Sequence, residues 1–246
     1  MFNYFWYTKD SIPEGVGMGL FSLTHIIEII IAGFILWGLV KWFKGFDAEK
    51  RDRFLLVVVI LLWVDELLKH IGSAAIGLWE VGYLPLHICS INIFLSTAYY
   101  FTRSKALAQI LYCLGIPGAF MALLLPTWST LPVMNFMHLH SYTVHILLIL
   151  FPILLVVNGE RPNIKYHGKC CLVFLSYSVP IFFLNHILDT DFIFLNGAKG
   201  TPFTGLVKAI GNPLYCVFLV PIIFALMALM YIPWVIHDKK KTAVAV

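Results

Sequence analysis

Long apolar runs alternate with short polar breaks along the whole chain. Seven runs, at roughly 17–41, 53–79, 83–102, 106–125, 138–158, 169–188 and 213–236, each approach or exceed the length of apolar helix that crosses a bilayer, about 20 residues. The connections are short except for 189–212, where Gly197, Gly200, Pro202 and Gly205 predict a re-entrant or surface loop. Ahead of the first run, residues 2–16 carry Phe2, Tyr4, Phe5, Trp6 and Tyr7, the composition of an interfacial aromatic cluster. No internal repeat is visible. The expectation is an all-α, polytopic membrane protein: one domain, 1–246, of seven transmembrane helices.

Composition removes the soluble alternative. Of 246 residues, 60% are hydrophobic and 12% charged, against about 25% charged in ordinary soluble domains. The opening MFNYFWYTKD has no basic leader, and the first run is too long for a signal peptide and stops at Lys41 and Lys44, so it reads as a true span. The net charge of +4 points to no nucleic-acid partner, and its distribution sets the orientation. Lys41, Lys44, Lys50, Arg51, Arg53, Arg103, Lys105, Arg161, Lys165, Lys169, Lys239, Lys240 and Lys241 all fall on one side. Basic residues collect on the cytoplasmic side, which predicts an outside N-terminus and a cytoplasmic C-terminus.

With that orientation the polar residues inside the runs share one depth. His25 and Glu28 lie in the outer half of the first run, and Asp65, Glu66, Lys69 and His70 in the middle and outer part of the second. His87, Cys89, Ser90 and Asn92 open the third; His138, His140, Ser141 and His145 open the fifth; Asn185, His186 and Asp189 end the sixth. The cytoplasmic halves hold nothing comparable. A charge near a membrane helix centre costs about 2.5–3.5 kcal/mol, while an apolar residue returns about 0.3–0.6. Asp65, Glu66 and Lys69 therefore cancel most of the gain from FLLVVVILLWV unless they are paired and face protein or water. The spacing lets Asp65 meet Lys69 and Glu66 meet His70, each four residues on.

Histidine is the side chain whose proton moves near neutral pH, so several at one depth point to proton handling. Helical geometry restricts how they combine. His87 and Cys89, two residues apart, point away from each other on a regular helix and converge only if the turn after Pro85, expected as the first helical turn, is distorted. Cys89 continues instead into Asn92 and Ser96 as a polar stripe. His138, Ser141 and His145 share a face, but two turns, about 10 Å, separate the two histidines, too far for one metal ion. The five cysteines show no metal-binding spacing; neither a metal nor another cofactor is expected.

The segments LPLHICSINIFL and HLHSYTVHILLIL, within an N-out seven-helix layout, resemble the bacterial YwaF-type integral membrane proteins, which group with the eukaryotic transmembrane protein 164 family. The resemblance covers essentially the whole chain. It implies a multi-pass protein of the bacterial plasma membrane and a cysteine-dependent acyltransferase that moves fatty acyl chains between phospholipids, with a lysolipid or lipidated protein as acceptor. It further implies Cys89 as nucleophile and His87 or His145 as base. In the eukaryotic pattern the cysteine directly precedes a histidine after the proline; here Leu86 holds that slot, so His87 carries over more directly than Cys89. His25, Glu28, Asp65, Glu66, Lys69, His70, Asn92, His138, Ser141, Asn185 and His186 are the expected supporting or substrate-binding set, with Asn92, Ser90, Asn185 or Lys69 as donors to an oxyanion.

Two other readings use the same layer. One is a metal-dependent intramembrane lipid hydrolase drawing three ligands from His25, Glu28, His70, His87, His145 and His186. The other is a proton-coupled transporter or sensor, for which Pro117, Pro152, Pro180 and Pro221 supply kinks.

Overall fold

Side-chain caps start three of the principal helices. The Ser22 side chain accepts a bond from the His25 amide at 3.2 Å and opens α1, Leu23–Lys44. Asp47 accepts from the Lys50 amide at 2.8 Å and opens α2, Ala48–Ala75. Asn135 accepts from the Met137 amide at 2.9 Å and opens α6, Phe136–Val157. Each satisfies an amide that the first helical turn leaves without a partner. The computed structural model describes residues 3–244, so Phe2 of the aromatic cluster lies outside the described residues. The remaining helices are α3 (Ile88–Thr102), α4 (Lys105–Ile110), α5 (Ile116–Leu124), α7 (His167–Leu188), α8 (Thr204–Ile210), α9 (Asn212–Leu229) and α10 (Ile232–Val244). A π-helical turn, Leu111–Gly115, joins α4 to α5, with the Ile116 amide bonding back five residues to the Leu111 carbonyl.

The chain is helical throughout its described core, and six segments are long and apolar enough to cross a membrane: Leu23–Lys44, Val81–Thr102, Lys105–Leu124, Phe136–Val157, Ile164–Leu188 and Asn212–Lys240. These describe a multi-pass membrane protein. The seventh expected span, α2, has 28 residues, about 42 Å at 1.5 Å per residue, but Asp65, Glu66 and Lys69 interrupt its apolar stretch. Helix α6 is the axis. Over half of its apolar window (56%) is buried, against 11% for α1, and Val144, Leu148, Leu150, Phe151 and Leu154 fill the main core with Leu55, Val58 and Leu62 of α2 and Ile93 of α3. The outward faces carry Ile27, Ile30, Phe34, Leu68, Phe101, Val217 and Phe218, all exposed, as expected of surfaces solvated by lipid.

Helix boundaries depart from expectation where the backbone finds other partners. The first helix begins at Leu23 rather than near 17 because residues 18 and 19 pair with the α5–α6 loop: Met18 N donates to Leu131 O at 3.1 Å and Gly19 N to Ser129 O at 2.9 Å. Asn135 extends this stitching, donating to the Tyr4 and Tyr7 carbonyls at 2.8 Å each. Pro85 is not in the first turn of α3. A 3-10 turn, Val81–Tyr83, precedes it, and Tyr177 donates to the Leu86 carbonyl at 2.7 Å, which delays the helix until Ile88. The 189–212 segment folds back on the bundle, with Phe192 fully buried and Asn185 bonded to both its amide (2.8 Å) and its carbonyl (2.9 Å).

Gly17 makes the closest of these approaches: an added Cβ there would stand 2.4 Å from the Thr130 carbonyl oxygen. Gly17→Ala must displace backbone and is expected to destabilise by about 1–3 kcal/mol. Gly33→Ala, whose methyl meets nothing within 4 Å, is expected to be neutral or stabilising. Thermal unfolding of the two variants in detergent checks the contrast.

Candidate functional site

The three histidines that open α6 each meet a different neighbouring helix. His138 Nε2 lies 2.9 Å from Glu28 of α1, His140 Nδ1 lies 2.8 Å from Asp65 of α2, and His145 Nε2 lies 3.0 Å from the Cys89 thiol of α3. The His140–Asp65 contact is close but misaligned for a hydrogen bond. Beside them a buried carboxylate hub forms on α2. Glu66 Oε1 accepts from Lys69 at 2.7 Å and from the Ser90 hydroxyl at 3.1 Å, with His70 Nε2 at 3.5 Å. The expected Asp65–Lys69 pair is therefore corrected. Lys69 turns one residue closer, to Glu66, and Asp65 reaches across to His140, a partner that spacing along one helix does not reveal.

These polar groups lie toward one end of the bundle but do not converge on one cavity; most are tied off by their own neighbours. His25 accepts from the Phe21 amide at 3.0 Å and donates to the Leu123 carbonyl at 2.9 Å, which uses both ring nitrogens. His186 bonds its own helix at Phe182 O and is exposed. Asn185 is wholly engaged by the 190–192 turn. His87 does not meet Cys89. It is the residue before α3, its ring rests against Phe192 and Phe194, and its Nδ1 accepts from the Ile193 amide at 3.3 Å. Among the described residues, no three His, Cys, Asp or Glu side chains come close enough together to hold a metal ion.

One pair differs from the rest, because it joins a nucleophile to a base. His145 Nδ1 points at the Ser141 carbonyl of the preceding turn, and a carbonyl only accepts. The ring proton therefore sits on Nδ1, and Nε2 presents its lone pair to the Cys89 S–H. Ser141 acts here through its backbone. The Trp128 indole stacks on the His145 ring, centroids 5.2 Å apart and planes 18° from parallel, and holds its tilt. Trp128 was not legible as a site residue; it lies in the α5–α6 loop, and its position depends on the pairing of 18–19 with 129–131. It also walls a small cleft of about 10 Å³, room for about one water, lined by Met18, His25, Glu28, Ile29, Leu123, Pro126 and Tyr142, beside the outward face of α1.

The start of α3 adds donors. Cys89 is the second residue of the helix, and the His87 side chain makes no cap bond. The amides of Ile88, Cys89 and Ser90 thus lack carbonyl partners within the helix and carry the partial positive charge of its N-terminus. Of the expected oxyanion donors, Ser90 and Lys69 are committed to Glu66 and Asn185 to its loop. Asn92 lies one turn below Cys89 and is buried (3% exposed), but its unpartnered atom is the acceptor Oδ1, so the oxyanion falls to the amides.

The fold defines a multi-pass helical membrane protein with a buried cysteine–histidine pair. A family model described as the TMEM164 family matches residues 20–231, and the chain belongs to that family. No curated protein and no solved structure matched the chain.

Removing one partner from a buried charged pair leaves the other uncompensated, at a cost of about 3–5 kcal/mol, whereas replacing both with apolar residues is close to neutral. Lys69→Ala, which leaves the Glu66 carboxylate buried without its cation, is therefore expected to lower stability by that amount, and Lys69→Leu combined with Glu66→Leu to recover most of it. A double-mutant cycle on melting temperatures measures the coupling.

Proposed function

We propose that the protein is a seven-span acyltransferase of the cell membrane, with its N-terminus outside and its C-terminus cytoplasmic. It moves a fatty acyl chain from a phospholipid to a lysolipid or lipidated acceptor through a thioester on Cys89. The observation that carries this reading is the Cys89–His145 pair, in which the Ser141 carbonyl fixes the base's proton on the far nitrogen. The seventh span is α2, whose charges are paired inside the bundle and so do not bar it from the membrane.

The steps follow from the geometry. As the thiol sulfur attacks the ester carbonyl carbon, its proton passes to His145 Nε2, making an imidazolium held by Ser141 and Trp128. The carbonyl oxygen gains the negative charge, and the uncapped amides at the start of α3 donate to it. Collapse breaks the ester C–O bond; the departing lysolipid oxygen takes the proton from Nε2, leaving the acyl group on sulfur. An acceptor hydroxyl then repeats the sequence in reverse. The metal-hydrolase reading draws less support, because its candidate ligands lie in separate contacts.

Membranes containing the protein, given a phospholipid with a labelled acyl chain and an unlabelled lysophospholipid, are expected to move label to the acceptor. Cys89→Ser should abolish the transfer, and His145→Ala should slow it at least about 100-fold, the contribution of a general base. His87→Ala should retain most of it, and a metal chelator should leave it unchanged. Full transfer by Cys89→Ser would overturn the thioester route, and loss on chelation would return the hydrolase reading.

A further inference from the structure

Two polar atoms below Cys89 have no partner. Asn92 Oδ1 and Ser96 Oγ are buried, with their residues 3% and 1% exposed, and neither makes a hydrogen bond. Native proteins leave few such atoms unpaired, and each calls for a bound water, a ligand or a catalytic role. Their position is not arbitrary. At three and seven residues beyond Cys89 they continue its face of α3, so the stripe begins at the nucleophile. Opposite them stands the π turn Leu111–Gly115, where Gly115 leaves open the space that the Asn92 carboxamide lies across; an added Cβ would sit 3.5 Å from Oδ1. Single π turns inside α-helices occur often at functional sites, where they break the regular ladder of backbone bonds.

The nearby polar pairs show what a structural role looks like in this bundle: Glu66 with Lys69 and Ser90, Asn135 with four amide or carbonyl partners, Asn185 with Phe192 and Thr190. Asn92 and Ser96 depart from that pattern, as do His138 Nδ1, Asn212 Oδ1 and Tyr231 Oη, but these two lie on the Cys89 face of α3. An unpaired Oδ1 calls for an O–H or N–H donor, and an unpaired hydroxyl can both give and receive. A hydroxyl group satisfies both.

We infer that Asn92, one turn from Cys89 and facing the π turn, receives the O–H group that attacks the acyl-enzyme, with Ser96, a further turn away, lining the approach beneath it. This rests on the acyl-transfer reading and assigns the second half of that reaction to residues that the first half does not need. Asn92 Oδ1 accepts from the arriving O–H and so holds the hydroxyl beside the acyl-enzyme; the O–H then turns to His145 Nε2, which takes its proton as the oxygen bonds to the thioester carbonyl carbon. The C–S bond then breaks, and the Cys89 sulfur leaves as thiolate and takes the proton back from His145. The products are a new ester and free Cys89 when the hydroxyl belongs to a lipid, or a fatty acid and free Cys89 when it is water. Asn92 and Ser96 are positioning residues in this scheme.

The test separates the two half-reactions on the full-length protein in lipid nanodiscs. Wild type, Asn92→Leu and Ser96→Ala are mixed with labelled-acyl phospholipid, and intact-protein mass spectrometry follows label on Cys89, with and without added lysophospholipid. Asn92→Leu is expected to load Cys89 at the wild-type rate and unload it about 100-fold more slowly, the scale of a misplaced reactant, so that the thioester accumulates. Ser96→Ala should show the same defect more weakly. Both should melt at or above the wild-type temperature, since the polar atoms removed had no partner. Product identity assigns the occupant: labelled phospholipid means a lipid hydroxyl, and labelled fatty acid means water. Equal slowing of loading and unloading, or unloading at the wild-type rate, would overturn the subsite. If wild type itself never carries label on Cys89 yet still transfers it, the thioester reading fails first.

Discussion

A polar side chain inside an apolar bundle has no water to return to, so it must find its partner in protein. Helix α6 meets that constraint three times, with His138 on α1, His140 on α2 and His145 on α3. Because α6 is also the most deeply buried of the candidate spans, these contacts fix three helices against one axis within its first three turns. The Glu66 hub, with Lys69 and Ser90, joins α2 to α3 at the same end.

The same constraint that locks the helices prepares the chemistry. Two of the α6 histidines face carboxylates and the third faces a thiol. With its other nitrogen fixed on the Ser141 carbonyl, His145 has one vacant lone pair, and it is aimed at Cys89. Trp128 keeps the ring in place, and the two backbone bonds from residues 18 and 19 to Leu131 and Ser129 keep Trp128 in place. Packing and the proposed chemistry thus meet at one helix: His138 and His140 hold α1 and α2 through carboxylates, while His145 holds α3 through the Cys89 thiol.

The fold was legible where physics acts through length and composition. Apolar runs of about 20 residues announced the helices, and the gathering of polar residues toward one end of each run announced the end of the bundle where polar contacts between helices form. What was not legible was partnership between helices. Spacing offered Lys69 to Asp65, but Glu66 lies one residue closer and His140 faces Asp65 from α6. Proximity in sequence offered His87 to Cys89, but the delayed start of α3 sends His87 toward Phe192 and Phe194, while His145, 56 positions away, reaches the thiol. Trp128 and the amides at the head of α3 escaped notice because a loop residue and a bare backbone carry no periodic signal. The charges of Asp65, Glu66 and Lys69 also keep α2 from meeting the composition of a span, although they are paired inside the bundle.

The central claim is that the His145 lone pair draws the Cys89 proton. Alkylation of the purified protein at neutral pH by iodoacetamide, with each cysteine followed by peptide mass spectrometry, tests it most directly. The account predicts that Cys89 reacts faster than Cys216, the other partly exposed thiol, and that His145→Gln slows Cys89 alone. An unchanged Cys89 rate in His145→Gln would contradict it.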